Sequence, residues 1–355
     1  MGYYTSLIYA AAIFGSVLTT KLLASFSIRF VQLAALFITG LGFAMFTQIS
    51  TSALPLIIAV AGIICMGLAY GVIVPSSSLA LAECYSRKMQ PLVVSVRQTG
   101  VPVGTAMVAL IAPFVAHHYG WHQMTAVIWV LVAVTAFLAL RGLRGFGAKS
   151  TIPPGKQPLL GALRVSLAQP ETRRLALVSG AYGINQAALT TYLVPSLVWL
   201  HGMSVGAAAG YLALATLAGA AARIIFGITT ARYGRADLHL GALGILTGLA
   251  WLLLLWPQPS LAQLLSGGIL LGISAMGWNG ILLAEMAIAA PAGNTAQAVS
   301  TGTSFAYFGV LVAPLIYVQL DHMMDSKRMA LAGLVVLAMA AGVMLLRSPR
   351  AQHQG

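Results

Sequence analysis

Charged residues are scarce in this chain. Asp, Glu, Lys and Arg together make up 7% of its 355 residues, whereas soluble domains carry about 25%. Hydrophobic residues make up 59%, in recurrent runs that reach the ~20 residues needed to cross a bilayer. So few charges cannot cover the surface of a soluble protein of this length. The composition therefore excludes a soluble protein and predicts an all-α polytopic membrane protein.

Cysteine and histidine are also scarce. The two cysteines, Cys65 and Cys84, lie on one predicted helix, ~28 Å apart and beyond disulfide reach. The histidines lie at the ends of the predicted spans or beyond them, which argues against a proton relay through histidine. The sequence offers neither a metal-ligand spacing nor the cluster of reactive side chains that an intramembrane enzyme needs. We therefore predict no metal site, no cofactor and no enzymatic activity.

Hydrophobic runs between turn and charge breaks predict eleven transmembrane helices, five before and six after one long hydrophilic stretch. They are expected near 3–26, 31–48, 54–83, 91–117, 122–141, 174–200, 205–232, 238–257, 261–288, 295–320 and 327–347. The expected domains are an N-terminal bundle (1–141), a central loop (142–173) and a C-terminal bundle with a short tail (174–355). Within the loop, "PLLGALRVSLAQ" is either a plain linker or a short amphipathic helix on the membrane surface.

The net charge of +13 is distributed unevenly between the two sides of the predicted membrane protein. Fifteen Lys and Arg residues lie on one side, and only Lys327 and Arg328 lie on the other. Cytoplasmic loops collect basic residues, so this asymmetry indicates orientation and not binding to nucleic acid. It predicts a cytoplasmic (inner) membrane protein with a cytoplasmic C-terminus. With eleven helices, the same orientation places Met1 outside.

Two stretches of the chain echo each other. "LALAECYSRKMQPLVVSVRQTG" and "ILLAEMAIAAPAGNTAQAVSTG" both carry Ala-Glu and, at the same spacing, Thr-Gly, and both are followed by Ala-Pro. The matching residues are Glu83 and Glu285, Gly100 and Gly302, and Pro113 and Pro314. This repeat makes the predicted helices 54–83 and 261–288 equivalent, so that each repeat is six helices long. Since only five precede the loop, we expect one helix to be missing before Tyr3.

The segment "GAAARIIFGITTARYGRAD" carries a glycine and two arginines in a loop between two predicted helices. It resembles an inner-loop motif of the major facilitator superfamily at Gly227, Arg232, Gly234 and Arg235, with Ala231 where the family has an acid. The resemblance makes Arg232 and Arg235 candidates for gating charges. It also implies the family fold, which has two six-helix halves joined by a central cytoplasmic loop.

Three further segments bear on this resemblance. "GSVLTTKLLASFSIRF" keeps Gly15 of the first-half loop motif but has no acid. "RQTGVPVG" resembles the proline–glycine motif of the family's fifth helix, often seen in antiporters, at Gly100, Pro102 and Gly104. "GWNGILLAE" looks like bacterial permeases of the superfamily, including relatives of cyanate permeases.

The family resemblance implies a secondary transporter that moves a small solute by alternating access, as a monomer in the lipid bilayer. Proton coupling and antiport both stay open. The alternative is a transport-inactive member of the family, either a sensor or a truncated, decayed protein.

Two arginines lie within predicted spans. Arg97 is ~9 Å from the cytoplasmic end of its helix, and Glu83 ends the preceding helix on the same side. Arg223 and Glu285 lie at comparable levels in the second half. Because intramembrane charges usually find partners, we predict the pairs Arg97–Glu83 and Arg223–Glu285. Each pair is either a latch, a proton-linked switch or a static strut, and the remaining alternative is that the arginines extend to the lipid headgroups.

Polar residues near the middle of the spans predict a solute cavity, because transporter sites lie near the bilayer midplane. The candidates are Tyr70, Tyr182, Asn185, Gln186, Trp278, Asn279, Ser304 and Tyr307. The alternative role for each is hydrogen bonding between helices. Since no acid other than the two boundary glutamates approaches this region, we expect a neutral or weakly anionic, partly apolar solute.

Overall fold

The structure is a computed structural model that describes residues 2–48, 53–84, 90–143, 166–233, 235–290 and 295–347. Almost all of these residues are helical and none of them forms a strand, which confirms the all-α prediction. Nine helices within these ranges are long and apolar enough to cross a membrane, as expected for a multi-pass membrane protein. The count of eleven spans stays a prediction.

Thirteen α-helices follow one another along the described chain. They are α1 (Gly2–Ser25), α2 (Ile28–Phe46), α3 (Ala53–Cys84), α4 (Gln90–Gln98), α5 (Gly100–Tyr119), α6 (Met124–Gly142), α7 (Pro170–Ala187), α8 (Leu193–His201), α9 (Val205–Tyr233), α10 (Ala236–Leu254), α11 (Leu261–Ala289), α12 (Thr295–Met324) and α13 (Lys327–Arg347). Most boundaries lie within a few residues of the predicted ones. The predicted amphipathic segment lies outside the described residues, apart from its last few.

The stretch predicted over 91–117 forms one candidate membrane span, Val93–Tyr119, but its helix is interrupted at Thr99 between α4 and α5. Pro102 has no backbone N–H, so it cannot donate to the carbonyl of Gln98 four residues earlier. The Thr99 amide instead bonds to Val96 O at 3.1 Å, and the helical ladder resumes with Val103 N to Thr99 O at 3.0 Å. The break therefore follows from the proline.

A second break interrupts the helix predicted over 174–200. Helix α7 begins at Pro170, a residue suited to the first turn of a helix. A π-helical turn, Ala188–Tyr192, lies between α7 and α8. The Thr190 hydroxyl lies at this turn and donates to Gln186 O at 3.1 Å. Such wide turns are frequent at functional sites.

Contacts divide the described residues into two compact units. Unit 1 contains α1–α3, α6 and α5 from Ala112 onwards. Within it, α2 and α3 pack closely at Gly42, where an added Cβ would lie 2.6 Å from the carbonyl O of Gly62. Only a residue without a side chain allows this approach between membrane helices.

Unit 2 contains α4, α5 up to Ile111, and α7–α13. Its hydrophobic core includes Tyr182, Leu240 and Trp278, and its closest helix pairs include α9 with α11 and α7 with α12. The predicted division into two bundles and a loop stays a prediction, because the loop lies largely outside the described residues.

The glycine contacts agree with the internal repeat. In unit 1, a Cβ at Gly15 of α1 would clash with the carbonyl of Leu68 on α3. In unit 2, a Cβ at Gly219 of α9 would clash with the carbonyl of Gly272 on α11. Gly219 follows Gly15, and Gly272 follows Leu68, by the same 204 residues. The α1–α3 pair therefore corresponds to the α9–α11 pair.

Candidate functional site

Arg223 lies in the interior of unit 2, with 1% of its surface exposed. Its Nε donates to the carbonyl of Met276 on α11 at 2.7 Å, and its Nη1 donates to the carbonyl of Gln98 on α4. A buried guanidinium requires such acceptors, because its desolvation is otherwise strongly unfavourable. Arg223 therefore ties α9 to both α4 and α11.

The side chain of Gln98 extends this connection. It is 8% exposed, and its Nε2 donates to Asn279 Oδ1 on α11 at 3.2 Å. Its Oε1 accepts from Arg97 Nη2 at 3.1 Å. Arg97, Gln98, Arg223 and Asn279 thus form one network, which we call the polar cluster. It connects one helix that precedes the central loop, α4, with two that follow it.

Two glycines allow α4 to approach α9 and α11 closely beside the polar cluster. Ser95 of α4 is buried and fits into a notch between them. A Cβ on Gly227 would lie 3.2 Å from Ser95 Cβ, and a Cβ on Gly280 would lie 3.7 Å from the same atom. The Ser95 hydroxyl oxygen would be closer still to both, at 2.6 and 2.8 Å. Gly227, the first glycine of the inner-loop motif, is therefore a packing residue within α9.

Asn185 and Gln186 lie at the end of α7, just before the π-helical turn. Asn185 is 1% exposed, and its Nδ2 donates to Ala181 O at 3.1 Å. Within the described part of the chain, Asn185 Oδ1 and Gln186 Oε1 are buried acceptors without a hydrogen-bond partner. Unsatisfied buried acceptors are unfavourable and rare, so this end of α7 suits a ligand that carries N–H or O–H donors.

Tyr182 and Trp278, two of the predicted cavity residues, lie in the hydrophobic core of unit 2. Tyr182 Oη donates to Leu240 O at 2.5 Å, and Trp278 Nε1 donates to Ala275 O at 2.9 Å. Their rings meet edge to face with centroids 5.6 Å apart. The Tyr182 bond joins α7 to α10, which matches the alternative role of hydrogen bonding between helices, whereas the Trp278 bond stays within α11.

The remaining cavity candidates lie on α12 and α3. Ser304 is half-buried and Tyr307 is buried on α12. In unit 1, Tyr70 is half-buried and meets the ring of Tyr9 edge to face at 5.7 Å. Their assignment to a cavity stays a prediction.

The predicted charge pairs also stay predictions. Glu285 is 8% exposed on α11, whereas the side chain of Glu83 lies outside the described residues. Arg232 and Arg235 are exposed, and the Arg232 guanidinium lies 5.6 Å from the ring centroid of Tyr233. Gly234 of the loop motif is also outside the described residues.

Sequence reasoning missed two parts of the site. Gln98 was passed over in favour of its charged neighbour, although a glutamine inside a span signals a need for partners. The second omission is an ion-pair network in which Arg174 Nη2 lies 2.8 Å from Glu171 Oε1 and 3.1 Å from Asp237 Oδ1. It joins the starts of α7 and α10. Acids in the first turns of two helices were the available signal.

Comparisons with known proteins give the family of this chain. The family model described as Major Facilitator Superfamily matches residues 1–314. No curated protein sequence matches the chain significantly.

Solved structures resemble the described fold along nearly its full length. A mutant of the peptide transporter POT has a TM-score of 0.74 at 14% identity, covering 98% of this chain and 84% of its own. The human organic anion transporter MFSD10 (TETRAN) has a TM-score of 0.71 at 18% identity, with coverages of 97% and 83%. A mutant of the E. coli fucose:proton symporter FucP has a TM-score of 0.68 at 15% identity, with coverages of 98% and 92%.

At these identities the solved structures show a shared fold, whereas the family model matches most of the sequence itself. The helical architecture, the apolar spans and the family match all agree. The chain belongs to the major facilitator superfamily and is a membrane transporter, not an enzyme.

Proposed function

We propose that this protein is a secondary transporter that moves a small solute across the cytoplasmic membrane by alternating access. In this proposal the polar cluster and the Ser95 notch form the inner gate. The carrying observation is that α4, which precedes the central loop, packs in unit 2 against α9 and α11.

The chemistry of the contact between α4 and unit 2 supports a gate that opens and closes. The notch is lined by glycine, and the Gln98–Asn279 bond joins two neutral amides. Neutral hydrogen bonds between membrane helices contribute only about 0.6 kcal/mol on average. Hydrogen bonds of this strength can break and re-form at a small cost in free energy.

The orientation of the gate follows from the distribution of basic residues. We place α4 at the cytoplasmic side, because Arg232 and Arg235 and the other basic loop residues collect there. The C-terminus is then cytoplasmic. The protein works as a monomer in the lipid bilayer, and its positive charge serves orientation and not nucleic acid.

The unsatisfied acceptors of α7 support a solute with hydrogen-bond donors. Asn185 Oδ1 and Gln186 Oε1 need donors, so the solute carries N–H or O–H groups. Tyr307 and Ser304 on α12 of the same unit supply further polar contacts in a cavity that is otherwise apolar. A neutral or weakly anionic, partly apolar solute fits this set, and the fold is shared with carriers of peptides, organic anions and fucose.

Proton coupling is proposed through the buried carboxyl group of Glu285. It is 8% exposed on α11, about 1.7 helical turns beyond Asn279 of the polar cluster. Its protonation would change the charge balance with Arg223, its proposed partner. The fucose:proton symporter of the same fold provides a precedent for coupling.

Transport is tested in liposomes of phosphatidylethanolamine and phosphatidylglycerol that contain the purified protein. Labelled fucose, alanyl-alanine and benzoate represent a sugar, a peptide and an organic anion. Uptake of one of them above protein-free liposomes, and its loss on adding a protonophore, is the expected result. The same solutes are also tested for exchange, with unlabelled solute inside the liposomes. Absence of both uptake and exchange for all three would favour the transport-inactive alternative.

The gate is tested with a disulfide in a Cys65→Ala, Cys84→Ala background. Ser95→Cys with Gly280→Cys brings two Cβ atoms to 3.7 Å, close to the ~3.8 Å of natural disulfides. Oxidation should stop uptake and dithiothreitol should restore it. The matched control, Leu253→Cys with Gly267→Cys between α10 and α11 (3.2 Å), should keep transporting when oxidised. Equal uptake by the oxidised gate pair would overturn the gate.

A further inference from the structure

The carbonyl of Gln98 is released from the helical ladder by Pro102. In a continuous helix, residue 102 would donate its N–H to this oxygen, but proline has no N–H. The neighbouring amides bond elsewhere, Thr99 N to Val96 O and Val103 N to Thr99 O. Pro102 is itself buried. A polar backbone atom in this position requires a donor from another part of the protein.

Arg223 supplies that donor. Its Nη1 bonds to Gln98 O, and its Nε bonds to Met276 O on α11 at 2.7 Å. The planar guanidinium presents its N–H groups in a fixed fork, so it can bond to both carbonyls at once. A carbonyl freed on α4 is thus satisfied by a side chain of α9 that is also anchored to α11.

From these contacts we infer that Pro102 and Arg223 act as a pair, in which Arg223 is the positioning residue that holds the inner gate closed. The proline creates an acceptor at the α4–α5 break, and the arginine occupies that acceptor only while α4 lies against α9. The inference rests on the proposed function and names the part of the gate that holds it. The inference does not depend on an ion pair, because the acceptor of the Arg223 guanidinium is a backbone carbonyl.

The glycines of the same motif separate this role from ordinary close packing. Added Cβ atoms at Gly100 and Gly104 would meet nothing within 4 Å. In this conformation the two glycines of the "GVPVG" segment therefore take no part in close packing. Ser95, one turn before the break, reports on the contact because it is buried in the notch between Gly227 and Gly280.

The test measures how often the gate opens, by alkylation of Ser95→Cys with a water-soluble maleimide in inside-out membrane vesicles. The background carries Cys65→Ala and Cys84→Ala. When the buried state dominates, the alkylation rate is proportional to the open fraction. Arg223→Gln should raise this rate about tenfold. This factor corresponds to the lower end of the free energy that a hydrogen bond from a charged group contributes.

The decisive comparison repeats Arg223→Gln in a Pro102→Ala background. The alanine in that background has a backbone N–H that can bond to the Gln98 carbonyl. That carbonyl then depends less on Arg223 as its hydrogen-bond donor. The rise in alkylation caused by Arg223→Gln should then fall to about twofold, a coupling that independent sites do not show. An equal rise in both backgrounds, or no rise in the first, would overturn the pairing.

Two measurements distinguish this result from misfolding and from failure of the proposed function. The Leu253→Cys/Gly267→Cys disulfide must form at an unchanged rate in each variant. Should Arg223→Gln disturb it, Arg223→Lys takes its place. A single ammonium keeps the charge but lacks the fork, so we expect a smaller rise, and a rate equal to that with Arg223 contradicts the inference. No solute enters this assay, so absence of uptake would count against transport alone.

Discussion

Arg97 on α4 and Arg223 on α9 are both arginines within apolar sequence, but their surroundings differ. Arg97 is half-buried, and its Nη2 bonds to the side chain of the adjacent residue, Gln98. Arg223 is 1% exposed and bonds to carbonyls on two other helices. Arg223 is therefore a direct connection between three helices, and Arg97 joins the same network through the side chain of Gln98.

The difference shows that depth in the helix does not by itself define the role of a membrane arginine. A long side chain near a helix end can reach more polar surroundings, whereas one enclosed by helices must find its acceptors there. Arg223 finds them because Pro102 has released one carbonyl and because α9 and α11 pack closely at Gly219 and Gly272. The following predictions test this contrast.

Arg223→Ala should have the largest effect on stability. It removes both hydrogen bonds and leaves space beside Gln98 O and Met276 O, so we expect a loss of about 3 kcal/mol in the free energy of unfolding. Thermal unfolding of the purified protein in detergent measures it. A cost no greater than that of Arg97→Ala would remove the distinction between the two arginines.

Gly227→Val should follow. Its Cβ would lie 3.2 Å from Ser95 Cβ and its branches would lie nearer, so overpacking of about 2 kcal/mol is expected. Gly210→Val is the matched control on the same helix, since a Cβ there meets nothing within 4 Å. The same unfolding assay compares them, and Ser95→Gly should recover part of the loss at position 227 only.

Asn279→Leu should have a smaller effect, about 0.6 kcal/mol, because it removes one neutral hydrogen bond between membrane helices, to Gln98 at 3.2 Å. Gln98→Leu should lose a similar amount, and the double variant should lose less than the sum. Detergent unfolding of the three variants forms the cycle. Strict additivity would mean that the two amides do not interact in solution.

Arg97→Ala should have the smallest effect, about 0.5 kcal/mol, as for other partly exposed charges. Combined with Glu83→Gln, it also tests the predicted pair between these residues. If the pair forms, the double variant should lose no more unfolding free energy than either single variant does. Membrane abundance and unfolding of the single and double variants decide this, and full additivity would exclude the pair.

Much of the fold was available from the sequence. Apolar runs located α1–α3 and α9–α13 within a few residues, and the repeat anticipated the correspondence of α3 with α11. The break at Thr99 was not foreseen, although Pro102 was the signal, because prolines are tolerated in membrane helices when other groups satisfy the freed carbonyl. The π-helical turn after Ala187 left no comparable signal in the sequence.

The candidate site was only partly foreseen. Arg223, Asn279 and Arg97 were named from their polarity within apolar sequence, and the structure joins them through Gln98. Tyr182 and Trp278 were chosen by the same rule, but their contacts lie in the hydrophobic core. Polarity at a given depth shows that a side chain needs partners, and it does not show on which side of the helix they lie.

Composition and periodicity alone determined that this chain is helical and spans a membrane, because backbone polar groups in hydrocarbon must bond within helices. The spacing of Glu, Thr-Gly and Ala-Pro determined its internal repeat. Only the tertiary structure decided that Arg223 meets the carbonyl released by Pro102 and that Ser95 fits between Gly227 and Gly280. Those contacts depend on distances between helices far apart in sequence, which close packing fixes and residue order does not.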